Sequence, residues 1–426
     1  MSSYLKNPWD PTDEGDHHPV MKEWWTIETI FTTEEGRKWN LMSSFAKEME
    51  TPSCFFQYVL FNISAKKCVA HQDINDDFAE LSFTKNKIEV VYKQSFIKGS
   101  YPIYHIHIDD SKEKIIADVV FTAKSIPHWI AQEQTNGNLP IGLNTYKYGF
   151  IPHLGTKGTL IIKGKTYTIK GVGYLEHAWG NWSYQHPLKT LTNISQTIRV
   201  YSKLGKWWLS HHRIHIPQSI SFSTDNNAFG YDWIWGVFDN NWSLFFGNSM
   251  FWIHKGPSFG ALYLTPDGKT YWEFCNIKFQ YNHMNYIKAY DIYYPTEIEL
   301  TGTCNDKTLH LIFQSIVDPY EYISRYDNDQ WYKAFILIEM PGKMHGTYTD
   351  TTQTTPLNGD CKLVPLRQPS VLGHNQLTID FTKPPQGIGY KAHLTSHFLK
   401  KEITSQLIFT PRPSIKFHTK RIRTFK

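Results

Sequence analysis

Cysteine is scarce and unpatterned in this 426-residue chain: Cys54, Cys68, Cys275, Cys304 and Cys361 are odd in number, widely spaced and never arranged as Cys-x-x-Cys. That excludes a disulfide framework and a cysteine zinc site, and leaves five reduced packing residues. Long apolar runs are missing too. No stretch approaches the ~20 residues a membrane helix needs, and the opening Met1-Ser-Ser-Tyr-Leu-Lys-Asn-Pro8 has no apolar signal core. The expectation is a soluble, cytoplasmic protein. Charge of one sign is in small excess, +5 overall, so no nucleic-acid partner is expected. Basic residues cluster only in the tail Lys416–Lys426, which reads as solvated, with contact to an anionic membrane surface as the alternative. There is no Gly-x-Gly-x-x-Gly, Walker-type loop, Gly-x-Ser-x-Gly elbow or His-Glu-x-x-His. Dehydrogenase, kinase, α/β-hydrolase and zinc-protease chemistries have no foothold, and no cofactor is expected.

Aromatic residues, by contrast, are abundant: 15% of the chain, with 15 Trp and 25 Tyr. Such side chains are strand formers and also suit the walls of a large pocket, because their polar ends need partners when buried. Helical periodicity is almost absent. Period-2 segments recur at short spacing in the first half, at Glu23–Phe31, Trp39–Phe45, Phe55–Ile63, Lys87–Lys93, Tyr101–Ile108 and Ile115–Phe121. They read as a β-meander closing on itself. His186–Ser195 is a short helix or irregular linker, after which strands resume at Gln196–Tyr201 and Trp207–Ile216 and continue through Tyr231–Phe238, Trp242–Asn248 and Gly260–Leu264. The expected architecture is all-β, two similar antiparallel barrels in tandem. Residues 1–20 form a flexible N-terminal arm, 21–195 the first barrel, and 196–426 the second, closed by strand-like segments such as Gln376–Phe381 and Glu402–Phe409 and ending in the basic tail.

The richest stretch is Gly171-Val-Gly-Tyr-Leu-Glu-His-Ala-Trp-Gly-Asn-Trp182. A hairpin over Thr159–Lys170, turning at Lys163-Gly164-Lys165, delivers the chain into it. Its glycines allow close approach, and its alternation puts Tyr174, Glu176 and Ala178 on one face and Leu175, His177 and Trp179 on the other. An acid or imidazole beside aromatic walls is desolvated, which moves its pKa toward a working range, so Glu176 and His177 are both candidate proton donors. On a regular strand only one of them lines a cavity. A second cluster, Tyr231-Asp-Trp-Ile-Trp235, places Tyr231, Trp233 and Trp235 on one face, suited to a long apolar or conjugated ligand, with Asp232 opposite. In His211-His-Arg-Ile-His215 the arginine between histidines argues against a metal, and none is assigned. His105 and His107 share one strand face, read as solvated or lumen-facing.

Four landmarks occur in an order that resembles the lipocalin-like two-barrel family of carotenoid 1,2-hydratases (hydroxyneurosporene synthases), AttH-type proteins and Diels–Alderases. They are Glu23-Trp-Trp25 with its Gly36-Arg37 turn, Gly173-Tyr-Leu-Glu-His-Ala-Trp-Gly180, Tyr231-Asp-Trp-Ile-Trp235, and Gly260 through Asp267-Gly-Lys269. The resemblance spans about residues 20–280. Glu176 stands where the family signature has Asp, and beyond about residue 340 the usual family ending is lost. The resemblance implies two lipocalin-like barrels holding a hydrophobic, isoprenoid- or lipid-like molecule. It further implies cofactor-free acid/base hydration or cyclisation of an alkene, or else non-catalytic carriage of the AttH type. In the catalytic reading Glu176 or His177 protonates the double bond and Tyr231 and Asp232 assist or position water. Trp25, Tyr174, Trp179, Trp233 and Trp235 would bind the ligand, the faces of Trp179, Trp233 and Trp235 steadying a carbocation.

Overall fold

The computed structural model describes residues 9–183, 194–211, 219–223, 230–249, 255–325, 332–369, 375–382, 388–396, 399–409 and 414–421. The chain is all-β, two tandem lipocalin-like antiparallel barrels. The first is a thirteen-stranded sheet in which Lys22–Thr33 pairs with Lys38–Glu48 on one side and Lys165–Gly180 on the other. The Lys163-Gly164 turn joins two long strands, Asn144–Ile162 and Lys165–Gly180, so the expected hairpin is real and much longer than its alternating core. The second barrel is an eleven-stranded sheet with Tyr231–Phe238 between Ser243–Ser249 and Thr354–Arg367.

Alternation explains how the barrels are filled and how they meet. On Lys22–Thr33, Trp25, Ile27 and Phe31 enter the first barrel's core, while Trp24 and Ile30 point the other way into a second apolar layer. That layer lies between the barrels. It combines Tyr148, Phe150 and Tyr174 of the first with Trp233, Trp235 and Phe245 of the second, the Phe150 and Phe245 rings stacking 4.2 Å apart. The strands at the seam are therefore buried on both faces. Hydrogen bonds cross it as well: Ile126 N–H donates to the Gly268 carbonyl at 2.7 Å, and the Tyr263 hydroxyl accepts from Ala131 N–H at 2.8 Å.

Four expectations need correction. The N-terminal arm is not flexible from Trp9 onward: Trp9 packs 5.1 Å from Trp129, a short helix Pro11–Glu14 is capped by Asp10, and buried Glu14 accepts the Tyr101 N–H at 2.9 Å. Residues 9–17 thus plug the first barrel. The strands expected at Gln196–Tyr201 and Trp207–Ile216 are instead a helix, Ile194–His211, with residues 212–218 outside the described ones. Over six residues the two periods cannot be told apart, but Thr197, Val200 and Leu204 follow the helical spacing that packing selects. Residues 375–421 do not close the second barrel; with Ser219–Ser223 they form a separate five-stranded sheet. Finally, the glycines of the 171–182 stretch admit a neighbouring strand, not a ligand. A Cβ on Gly171 would lie 2.2 Å from the Ile30 carbonyl oxygen, and one on Gly173 would lie 2.7 Å from that of Glu28 and 2.8 Å from the Phe121 ring.

His105 and His107 lie on the outer face of the first barrel and both reach Asp118, at 3.0 and 3.1 Å, so their face is the solvated one. All five cysteines are free thiols.

Gly173→Ala should lower unfolding stability by about 1–3 kcal/mol through overpacking of the first barrel's core against Phe121. The urea midpoint measures it, and an unchanged midpoint would contradict the close approach.

Candidate active site

A cavity of about 650 Å³ among the described residues lies between the barrels, lined from both. Its floor comes from the outward face of the first barrel, where Trp24, Thr26 and Glu28 alternate along Lys22–Thr33. Its wall comes from the second barrel, from Tyr231 and Trp233 and from Leu337 and Glu339 of the strand Ala334–Thr349. The helix Ile194–His211 forms its mouth with Leu204, Trp207 and Trp208, held by Thr197 Oγ1 to the Leu143 carbonyl at 3.1 Å and Trp208 Nε1 to the Ser258 carbonyl at 3.2 Å.

Glu176 faces this space. Its Oε1 accepts Trp24 Nε1–H at 2.9 Å, and its Oε2 accepts the hydroxyls of Tyr148 and, at 3.2 Å, Tyr174. Trp233 Nε1–H donates to the Tyr148 oxygen at 2.9 Å, tying the cage to the second barrel. Burial pushes the Glu176 carboxyl up to about 7, against the three hydrogen bonds that favour its ionised form. The tyrosines stay donors, since burial and then the nearby Glu176 hold both hydroxyls well above their ordinary range. Glu176 is therefore half-protonated near neutral pH, at the edge of an apolar cavity.

Two further acids line the same space. Glu339 is pushed up by burial, with Lys362 pulling it back. Glu273, bonded by Tyr263 at 2.9 Å and Gln134 at 3.1 Å, is also raised by burial. Beneath the floor, Lys362 Nζ of the second barrel reaches Glu28 Oε1 at 2.7 Å and Glu339 Oε2 at 2.9 Å, and also meets Asn40 Oδ1 at 3.1 Å. Burial works against its charge, but Glu28 and Glu339 outweigh it and raise the lysine pKa. Glu28 also accepts Trp235 Nε1–H at 2.8 Å and Asn40 Nδ2–H at 2.8 Å.

The expected site residues divide accordingly. Glu176, Tyr231 and Trp233 line the cavity, and Tyr174 holds Glu176 from behind. Trp235 is fully buried at the seam, on Glu28. Asp232 borders the cavity, but its carboxylate points into the second barrel, bonded to Arg367 Nη2 at 2.8 Å and to the Tyr281 hydroxyl. It is a structural anion and poorly placed to position water.

His177, Trp25 and Trp179 are away from the cavity, in the first barrel's core. His177 Nδ1 donates to the Asp13 carbonyl at 2.8 Å, and Nε2 lies 2.8 Å from Glu23 Oε1. Burial pushes its pKa down, with Glu23 pulling the other way. Trp25 stacks on His177 at 4.9 Å and Trp179 on His17 at 3.7 Å. These three residues anchor the N-terminal plug.

His17, Glu23 and His177 have metal-ligating atoms within 4.8 Å of one another. They do not suit an ion: the histidines already bond Glu23 Oε1 at 2.8 Å, and Lys47 Nζ holds its Oε2 at 2.7 Å. Arg213 and His215 of the other histidine run lie outside the described residues.

Trp24, Tyr148, Glu28, Glu273, Glu339 and Lys362 escaped the sequence reading. A carboxylate inside a strand of apolar residues and threonines, Glu28 in Trp25-Thr-Ile-Glu-Thr-Ile-Phe31, was the one available signal.

No protein-family model and no curated protein sequence matches the chain. Solved structures do. A "putative AttH" from Nitrosomonas europaea superposes with a TM-score of 0.55 at 16% identity, over 84% of this chain and 97% of that one. Kievitone hydratase from Nectria haematococca gives a TM-score of 0.52 at 12% identity, over 86% and 99%. The chain has the fold of the lipocalin-like two-barrel proteins.

Replacing Lys362 by Met should cost about 3–5 kcal/mol, because Glu28 and Glu339 are left buried without their cation. Chemical denaturation measures it, and a loss below 1 kcal/mol would contradict the pairing. His177→Gln should lower the melting temperature by several degrees while leaving ligand affinity of the cavity unchanged. A changed affinity would return His177 to the site.

Proposed function

We propose that the protein binds a hydrophobic, isoprenoid- or lipid-like molecule between its barrels and hydrates or cyclises an alkene in it without a cofactor, Glu176 acting as the general acid. The observation that carries this reading is a carboxyl group with a pKa of about 7, caged by Trp24, Tyr148 and Tyr174 and facing an apolar cavity. A pKa near the working pH is what a proton donor that must also take a proton back requires. The presence of a protein named as a hydratase among the structural neighbours supports the reading.

The step balances as follows. The Glu176 O–H bond breaks and a C–H bond forms at one alkene carbon, leaving a carbocation at the other. Trp24, Trp233 and Tyr148, which line the cavity beside Glu176, supply the aromatic rings that would stabilise positive charge there. In hydration, water adds through oxygen and its surplus proton returns to the Glu176 carboxylate. In cyclisation, a second double bond of the same molecule attacks the cation and the carboxylate takes the proton lost. The three hydrogen bonds to Glu176 keep its conjugate base in place between the two transfers.

Native mass spectrometry with organic extraction of protein purified from its own cells names the ligand, and turnover in D₂O then reports carbon-bound deuterium. Glu176→Gln should retain the ligand within a few-fold and lose at least about 10²-fold in turnover. Since the protonated carboxyl is the active form, turnover should be level below pH 7 and fall about tenfold per unit above it. Equal turnover in Glu176→Gln, or a ligand that is carried unchanged, would contradict the acid role and leave a carrier.

A further inference from the structure

Among the described residues that line the cavity, five carry a carboxyl group, Glu28, Glu176, Asp232, Glu273 and Glu339, and none is Lys, Arg or His. Among the described residues, the lysine and the arginine paired with these acids do not line the cavity and are already committed. Lys362 is shared by Glu28 and Glu339, and Arg367 is held by Asp232 and by the Tyr231 and Tyr293 carbonyls. The hydrogen bonds to Glu176 and Glu273 come from neutral donors: indole and phenol for the first, phenol and amide for the second.

We infer that this lining sets the charge class of the ligand: the cavity takes an uncharged amphiphile bearing an oxygen acceptor such as a hydroxyl or carbonyl, and excludes a carboxylate or phosphate. The inference rests on the cavity being the ligand site, as proposed above, but not on Glu176 being catalytic. An anionic head group entering here finds no lysine, arginine or histidine among the described lining residues and meets acids in a medium of low dielectric, where like charges repel strongly. One side must take up a proton before they can share the space. An uncharged oxygen meets the opposite situation. Burial raises the pKa of Glu176 to about 7, so near neutral pH this carboxyl can donate its proton to that oxygen. The rest of the wall is mainly apolar and aromatic, so the head group's chemistry discriminates while the body contributes affinity. A barrel-type fold that carries fatty acids would need the reverse arrangement, a basic residue at the head of the cavity.

Retinol and retinoic acid share one skeleton and differ in this head group, and Trp24, Trp207, Trp208 and Trp233 on the wall report either by fluorescence quenching. At pH 8 retinol should bind at least tenfold tighter than retinoate. The gap should close as the pH falls to 5, where retinoic acid gains its proton. Glu273→Gln and Glu339→Gln should each strengthen retinoate binding several-fold and leave retinol within twofold. Equal or tighter retinoate binding at pH 8 overturns the inference. So does a gap that persists unchanged at pH 5, which would make shape the cause, or the absence of quenching by both probes. Because these are binding measurements on wild-type Glu176, the inference can fail while Glu176→Gln still abolishes turnover. Conversely, charge selection can hold in a protein that catalyses nothing.

Discussion

A single ammonium group, Lys362 Nζ, sits between carboxyl groups from both barrels, bonded to Glu28 of the first and Glu339 of the second. Neither barrel could bury its part alone. Glu28 on an isolated first barrel, or Lys362 on an isolated second, would be a charge facing water on an apolar patch; joined, each supplies what the other lacks. The Trp235 indole completes the link on the other oxygen of Glu28. Fixing the barrels at this point fixes the space beside it, and the cavity is that space.

The strands at the seam then have two buried faces with different duties. Inward residues of the first barrel, Trp25, His177 and Trp179, are locked around Glu23 and Lys47 and hold the N-terminal plug. Outward residues one position away, Trp24 and Glu176, belong to the cavity. Period-2 geometry thus separates structure from chemistry within the same few residues. The second barrel contributes to the cage around Glu176, because Trp233 Nε1–H donates to the oxygen of Tyr148, which in turn bonds the carboxyl.

Much of this was legible beforehand, and the failures have physical causes. The hairpins at Glu23–Phe45 and around Lys163-Gly164, and the face shared by Tyr174 and Glu176, follow from alternation and turn chemistry that any observer can count. Choosing Trp25 over Trp24 failed because alternation names two faces without saying which is the lumen, and here both are buried. Lys362 was invisible for another reason: its partner Glu28 is 334 residues away, and no local pattern encodes that distance. The helix Ile194–His211 was missed because Gln196–Tyr201, read alone, is too short to separate the two periods.

The most direct test of the account is the proton on Glu176 itself. Protein labelled with ¹³C at the glutamate side-chain carboxyl, titrated by NMR, should show one resonance that is absent in Glu176→Gln and moves with a midpoint near pH 7, well above the ordinary carboxylate range. A midpoint near 4.5 would mean that water reaches the carboxyl freely, and that the seam between the barrels does not form the dry, acid-bearing cavity described.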